Sequence, residues 1–187
     1  ELQNISRSIL QGDFLAYDAA LREFKPFDEV NELGSKVFVQ YKSKDAAEID
    51  FHVNGIEVIP SESKSLLKNG MLSVKKLNQN RYFELYQDYV ASAVLRIARE
   101  VFAVLPLEKV VVTALGDMLN TSIGIHETRP IISALIPRST IQKLNFDSLD
   151  PSDAMRNFVH NAEFKKSKGF IGVQKLTVQP SSVPSMT

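Results

Sequence analysis

The feature that most constrains this chain is the long helix that the sequence predicts over residues 81–105. Plotted at 100° per residue, its polar side chains fall within a stripe about 120° wide, and most of the other positions are apolar. Pro106 ends the helix, because proline cannot continue an α-helical hydrogen-bond pattern. A helix with so narrow a polar face needs cover on its remaining sides. We therefore expect it to lie across a sheet or in the middle of the domain.

Segments with strand character lie on both sides of this helix. Residues 36–42 are rich in β-branched and aromatic residues, and residues 71–77 resemble a further short strand. Residues 109–115 form a near-continuous apolar run, which is typical of a strand buried on both faces, and 131–136 follows as a bounded strand. This order predicts an α+β fold with a mixed or antiparallel sheet of about five strands, the 81–105 helix across it, and flanking N- and C-terminal helices.

A β-hairpin is predicted around Asn54-Gly55, the preferred pair for a two-residue type I′ turn. The flanking segments 49–53 and 56–59 would pair, with His52 facing Glu57 on the solvent side. After this hairpin, residues 60–70 are predicted to form a short helix, because Ser61 can cap its N-terminus and Gly70 suits the left-handed backbone conformation that often ends a helix.

Helices are also predicted at both ends of the chain. Residues 2–24 show helical spacing in two pieces, interrupted at Gly12-Asp13, where Asp13 can cap the second piece. Residues 139–144 indicate a short helix. Asp150-Pro151 is a good helix start, and Met155, Phe158, Val159 and Ala162 are expected to form the buried stripe of that helix.

These elements suggest a division of the chain into three parts. Residues 1–30 form an N-terminal helical segment, 31–172 a single α+β domain, and 173–187 an extended C-terminal tail with two prolines. The chain begins at Glu1 without an initiator Met, which favours a processed or excised piece of a longer protein.

The composition excludes several classes of function. The 187 residues contain 22 basic and 22 acidic side chains and no cysteine. Disulfides, cysteine-ligated zinc and thiol catalysis are therefore excluded. A formal charge of zero argues against a duplex-nucleic-acid surface over the whole protein and against a polybasic membrane anchor. No apolar run reaches the 18 or so residues of a membrane span, so we expect a cytoplasmic protein with no membrane partner.

The zero charge is a balance between oppositely charged segments. Residues 1–34 hold seven acids and three bases, a net charge of −4. Residues 61–81 hold one acid and five bases, a net charge of +4, and residues 162–187 hold one acid and four bases, a net charge of +3. The two basic segments either meet in one patch or form separate solvated faces.

One set of residues resembles a catalytic signature, although the common phosphate-loop, dinucleotide, hydrolase and zincin motifs do not occur. Asp50, followed by Glu62 and Lys64 in the spacing E-x-K, resembles the carboxylate-and-lysine signature of restriction-endonuclease-like nucleases. The resemblance implies that Asp50 and Glu62 hold Mg²⁺ and that Lys64 is the catalytic lysine. Carboxylate oxygens suit Mg²⁺, and a metal ion can activate the attacking water.

Two departures weaken this interpretation. Ser61 and Ser63 flank Glu62 where the nuclease signature has apolar strand residues, and the helix predicted over 60–70 would carry Glu62 and Lys64 away from Asp50. The alternative for Asp50, His52 and Glu57 is the solvated outer face of a half-buried hairpin.

Two longer stretches resemble a known family. Residues 85–106, LYQDYVASAVLRIAREVFAVLP, and 145–170, NFDSLDPSDAMRNFVHNAEFKKSKGF, are similar to the C-terminal region of a bacterial family of cytoplasmic proteins of unknown function. The similarity runs from about residue 65 to 172. It implies a bacterial, intracellular protein, and the family offers no activity, cofactor or catalytic residue to transfer.

The sequence therefore leads to two hypotheses. The first is a non-catalytic module, without a cofactor, that binds a protein partner or self-associates through its N-terminal helices or its C-terminal tail. The second is a Mg²⁺-dependent nuclease, or a degenerate relative of one, that uses Asp50, Glu62 and Lys64.

Overall fold

The computed structural model describes residues 2–32 and 36–179 of the chain. Within these residues it contains six α-helices and eight strands. The helices are α1 (Leu2–Gln11), α2 (Phe14–Phe24), α3 (Asp28–Glu32), α4 (Gln79–Val104), α5 (Arg138–Ile141) and α6 (Pro151–Ala154). The strands are β1 (Val37–Ser43), β2 (Ala46–His52), β3 (Glu62–Leu66), β4 (Leu72–Lys76), β5 (Lys109–Asn120), β6 (Ile125–Pro137), β7 (Val159–Lys165) and β8 (Gly169–Ile171).

Six of these strands form one mixed sheet in the order β1-β2-β5-β6-β7-β8. Strands β2 and β5 are parallel, and every other neighbouring pair is antiparallel. Strands β3 and β4 form a separate two-stranded antiparallel ribbon. The predicted α+β class is confirmed, whereas the strand count of about five is too low.

Helix α4 lies across the sheet and forms the centre of the core. Asn78 caps its N-terminus, since its side chain accepts a hydrogen bond from the backbone N–H of Arg81. Its buried residues pack with Ile49 and Phe51 of β2 and with Val110 and Val112 of β5. The sequence prediction for this helix agrees with the structure to within two residues at each end.

The N-terminal helices pack against the edge of the same core. Asp13 caps α2 as predicted, and its side chain accepts from the backbone N–H of Leu15. Tyr17 is buried, and its hydroxyl donates to the carbonyl of Lys44 in the β1–β2 turn at 2.7 Å. Phe27 and Val30, which follow α2, also belong to the core.

The predicted hairpin at Asn54-Gly55 is wrong. Strand β2 ends at His52, and Ile56–Val58 form a 3₁₀ turn. The antiparallel partner of β2 is β1, and its other edge pairs with β5, so both edges are occupied by strands other than 56–59. The backbone N–H of Val53 donates to the carbonyl of Leu115, so the chain follows β5 as it leaves the sheet. His52 does not face Glu57; its ring contacts Phe38 edge-on.

The helix predicted over residues 60–70 is also wrong. Residues 62–66 form β3, and the Leu67–Gly70 turn leads into β4, the strand predicted over 71–77. Gly70 has a positive φ as expected, but it serves a hairpin turn and not a helix end.

The C-terminal elements differ in length from the predictions. Asp150 caps α6 through the N–H of Asp153, but this helix stops at Ala154. A 3₁₀ turn over Met155–Asn157 follows, and Val159 and Ala162 lie in β7 instead of on a helix. Strands β5 and β6 extend beyond the predicted strands 109–115 and 131–136 into the polar segment between them, and Pro130 fits there beside a register shift in their pairing.

Candidate functional site

The structure separates the three residues of the nuclease hypothesis. Asp50 lies on β2 in the six-stranded sheet, whereas Glu62 and Lys64 lie on β3 of the ribbon. Both side chains on the ribbon are exposed to solvent. Neither contacts Asp50, whose carboxylate meets Lys175 instead. Within residues 2–32 and 36–179, no group of three or more His, Asp or Glu side chains is placed to hold a metal ion.

Asp50 belongs to a cluster of two carboxylates and two lysines on the sheet face opposite α4. Lys175 Nζ lies 2.7 Å from Asp50 Oδ2 and 3.6 Å from Glu48 Oε2, and Lys42 Nζ lies 3.3 Å from the same Glu48 oxygen. The Glu48 side chain is only 5% exposed. Two cations therefore balance two carboxylates, and the other Asp50 oxygen is buried without a hydrogen-bond partner.

This cluster holds the C-terminal tail in place. Residues 172–179, which we call the strap, cross this face of the sheet in an extended conformation. The backbone N–H of Leu176 donates to Ser133 Oγ at 3.0 Å, and that of Val178 donates to Glu48 Oε1 at 3.0 Å. Side-chain oxygens of the sheet accept from these two donors, whereas the backbone N–H of Val173, at the start of the strap, donates to the backbone carbonyl of Pro130 in β6 at 2.8 Å. The remaining tail, residues 180–187, lies outside the described residues.

Sequence reasoning missed this cluster because its members are far apart along the chain. Strand alternation places Glu48 and Asp50 on one face of β2, which the sequence could have indicated. Nothing local indicates that Lys175, more than a hundred residues later, is the partner of both carboxylates.

The ribbon is the most exposed part of the fold, and its two faces differ in polarity. Because Leu66 pairs with Leu72 and Lys64 pairs with Val74, these side chains share one face. This face also carries Glu62 and Lys76, which pair with each other. We call its apolar part, Leu66, Leu72 and Val74, the apolar face of the ribbon; it is open to solvent, and Leu66 is 76% exposed. The opposite face carries Ser63, Ser65, Ser73 and Lys75, and we call it the serine face.

Such a ribbon is unusual for a protein surface. A two-stranded hairpin has marginal stability by itself in water, and contiguous exposed apolar side chains mark a contact site. Leu67 and Met71 at the turn extend the apolar area, and five of the six charged side chains in residues 61–81 are basic. The ribbon therefore presents an apolar face with a positive margin.

Helices α1 and α2, which we call the helical pair, present a second exposed apolar area. Leu10 is 76% exposed and Leu15 is 77% exposed, and Phe24 at the end of α2 is also exposed. Tyr41 of β1 anchors α2 to the sheet: the Phe14 ring stacks on its ring at 5.1 Å, and its hydroxyl donates to Asp18 at 2.9 Å. Burial and this carboxylate raise the pKa of Tyr41, so the contact persists at all physiological pH values.

The three histidines lie in different parts of the molecule. His126 Nδ1 lies 3.2 Å from the Asp117 carboxylate on the exposed β5–β6 hairpin. His160 on β7 lies 3.0 Å from the carbonyl of Phe158 through its Nδ1. With His52 against Phe38, no two of the three share a contact among the described residues.

Comparisons with protein-family models, with curated proteins and with solved structures found no significant match to this chain. The resemblance of residues 85–106 and 145–170 to a bacterial family therefore stays a prediction. In the part of the chain that the structure describes, no helix combines the length and the apolar character needed to cross a membrane.

Proposed function

We propose that this chain is a self-assembly module in which the ribbon of one copy docks on the helical pair of the next. The observation that carries the proposal is the exposed apolar face of the ribbon, Leu66, Leu72 and Val74, in a two-stranded sheet that has no cover of its own. A second copy of this chain offers an exposed apolar area, on Leu10 and Leu15, to cover it.

Charge favours this head-to-tail arrangement over a symmetric one. The ribbon lies in residues 61–81, which have a net charge of +4. The helical pair lies in residues 1–34, which have a net charge of −4, although most of that charge lies next to the pair and residues 2–24 alone have a net charge of −1. Two ribbons facing each other would bring together two positive segments, and two helical pairs would bring together two negative ones. Opposite charges guide association and disfavour the wrong orientation.

The strap supports the choice of the helical pair over the tail as the partner surface. Residues 172–179 are bound to their own sheet through Lys175, Leu176 and Val178, so this part of the tail is occupied within one copy. Leu10 and Leu15 of the helical pair are each more than three-quarters exposed, so this apolar area is open to a second copy.

The test is a complementation experiment followed by size-exclusion chromatography with light scattering. Leu66→Asp places a charge on the apolar face of the ribbon, and Leu15→Asp does so on the helical pair. Each variant alone is expected to have a dissociation constant raised at least about tenfold, so that it elutes as a monomer. Mixed in equal amounts, the two are expected to form heterodimers, because one copy supplies an intact ribbon and the other an intact helical pair.

The matched control is Ser65→Asp, which introduces the same charge next to Leu66 but on the serine face, and it should assemble like the parent. Point substitutions are preferable to removal of residues 1–24, because Tyr17 and Ala20 belong to the core. A parent protein that stays monomeric at high micromolar concentration would refute self-assembly. A mixture that stays monomeric would refute the head-to-tail arrangement.

A further inference from the structure

A cavity of about 500 Å³ lies between α4, β7 and the segment that contains α6. Its volume is within the range of small-molecule sites, and polar side chains converge on it from all three walls. It is separate from the ribbon and the helical pair. Its walls come from both stretches that carry the family resemblance, since α4 supplies Asp88 and the later stretch supplies Ser152 and His160.

The floor of the cavity is apolar and closed. Ala91, Ile132 and Met155 are buried there, and the rings of Phe164 and Phe170 meet edge-on at 5.3 Å along one side. A ligand would therefore contact an apolar floor and a wall that is mainly polar, so this cavity suits a polar or charged ligand better than an apolar one.

The cations around the cavity are already paired. Lys166 Nζ lies 2.7 Å from Glu84 Oε1, and Arg81 lies 3.5 Å from the other oxygen of the same carboxylate. Arg156 lies 3.0 Å from Asp153. The three basic side chains of the wall are thus engaged by two of its four acids.

The third acid, Asp150, is engaged by hydrogen-bond donors of its own chain segment. One of its oxygens accepts from the backbone N–H of Asp153 at 2.9 Å and from the Ser152 hydroxyl at 2.8 Å. These donors, the backbone N–H first, lower the pKa of Asp150, so its negative charge is already stabilised by the cap.

The fourth acid, Asp88, has no cation in contact among the described residues. It interacts with the Ser152 side chain, and burial is the main cause that raises its pKa. Across the same cavity, His160 Nδ1 faces the carbonyl of Phe158, which can only accept a hydrogen bond. That ring nitrogen therefore carries the proton in the neutral form, and Nε2 is left as an acceptor. The cavity thus combines a carboxylate that has no ion pair among the described residues with a ring nitrogen, Nε2, that accepts a hydrogen bond in the neutral form of the imidazole.

We infer that the cavity binds a small organic cation with a primary ammonium or guanidinium group, and that the Asp88 carboxylate is its anchor. The ammonium or guanidinium hydrogens would be donated to Asp88 and to His160 Nε2, and the alkyl part of the ligand would lie on the floor formed by Ala91 and Met155. An anionic ligand fits less well, because the wall holds four acids to three bases and every base is paired.

The test uses the full chain and isothermal titration calorimetry at physiological ionic strength. The probes are putrescine, agmatine and spermidine, with 1,4-butanediol as the uncharged counterpart of putrescine. At least one amine is expected to bind saturably, and the diol is not. Asp88→Asn should weaken amine binding at least about tenfold, the usual loss for one charge-assisted hydrogen bond.

The matched control is Glu100→Gln, which removes one negative charge from the same helix at a position that does not line the cavity. It should leave the affinity within about twofold of the parent, because Glu100 lies about three turns along α4 from Asp88 and the interaction between charges beyond about 10 Å is largely screened at physiological ionic strength. The Asp88→Asn variant is expected to fold, since burial disfavours the charge that it removes. Far-ultraviolet circular dichroism of both variants checks this.

Three results would overturn the inference. The first is the absence of saturable binding for all three amines at millimolar concentration. The second is equal affinity of the parent and Asp88→Asn. The third is equal weakening by Asp88→Asn and Glu100→Gln, which would indicate general attraction to an acidic surface. None of these results bears on the assembly proposal, whose variants lie elsewhere.

Discussion

At the scale of single residues, Arg138 is an important structural side chain that the sequence does not indicate, because its guanidinium binds three separate backbone carbonyls. Its guanidinium donates to the carbonyls of Leu107 at 2.6 Å, Phe102 at 3.0 Å and Leu105 at 2.5 Å. It also lies 4.8 Å above the ring of Phe102. One side chain therefore satisfies carbonyl groups at the C-terminal end of α4 and in the turn that leads into β5.

We expect Arg138→Met to lower the free energy of unfolding by about 2–3 kcal/mol, since several charge-assisted hydrogen bonds are lost at once. Arg138→Lys should also destabilise, because an ammonium group cannot reproduce the planar fork of donors. Urea denaturation at neutral pH measures both. Equal stability of Arg138→Met and the parent would contradict the capping role.

Asp150 makes the stability of the α6 region depend on pH. The N–H of Asp153 and the hydroxyl of Ser152 hold its folded-state pKa below the ordinary value of about 3.9. Its stabilising contribution is therefore fully present above that ordinary value and is lost as the pH falls through the lower, folded-state pKa.

Asp150→Ala should lower the free energy of unfolding by about 1 kcal/mol at neutral pH, and the difference from the parent should shrink in strong acid. Asp150→Asn is the control, because it keeps a capping oxygen without a titrating group. Urea denaturation at a series of pH values gives the comparison. A difference between Asp150→Ala and the parent that does not change with pH would argue against the carboxylate as its cause.

At the scale of elements, the strap links the tail to the middle of the sheet. Lys175→Ala would leave the buried Glu48 with Lys42 alone and Asp50 without its cation. We expect this change to lower the free energy of unfolding by about 1–3 kcal/mol and to expose the strap. Chymotrypsin should then cut near Leu176 faster than in the parent. Lys143→Ala is the control, because Lys143 is exposed and makes no ion pair with any residue that the structure describes. Equal cleavage of all three proteins would disprove the link.

The accuracy of the sequence predictions depends on how local the determining interactions are. Helix α4, the caps at Asp13 and Asp150, and strands β1 and β5 follow from side chains close in sequence, and the structure contains all of them. Asn54-Gly55 is a strong hairpin signal, but β5, about sixty residues later, takes the free edge of β2. Non-local pairing outweighs the local turn preference there.

The candidate sites show the same dependence. Alternation along 62–66 and 72–76 could have indicated the apolar face of the ribbon, but Ser61 and Gly70 also satisfy the rules for helix ends. The cavity at Asp88 was beyond sequence reasoning, because it requires the approach of α4 to β7 across more than seventy residues of chain.

At the scale of the whole molecule, the opposite net charges of residues 61–81, which contain the ribbon, and of residues 1–34, which contain the helical pair, predict that assembly depends on salt. Raising the ionic strength should weaken association, since the attraction between exposed charges is screened within about 10 Å at 0.1 M salt. The apolar contact should leave part of the affinity intact. Sedimentation velocity at several salt concentrations measures this, and assembly that strengthens with added salt would argue that charge does not determine the orientation.

The parallel pairing of β2 with β5 also determines the order in which the chain can fold. The hairpins β1–β2 and β5–β6 join neighbouring segments, whereas Ala46 meets Lys109 only after the ribbon and α4 have been traversed. Closing so long a connection has an entropic cost that local hairpins avoid, and topologies of this kind fold more slowly. We therefore expect the two hairpins to form early and the seam between β2 and β5 to close in the rate-limiting step.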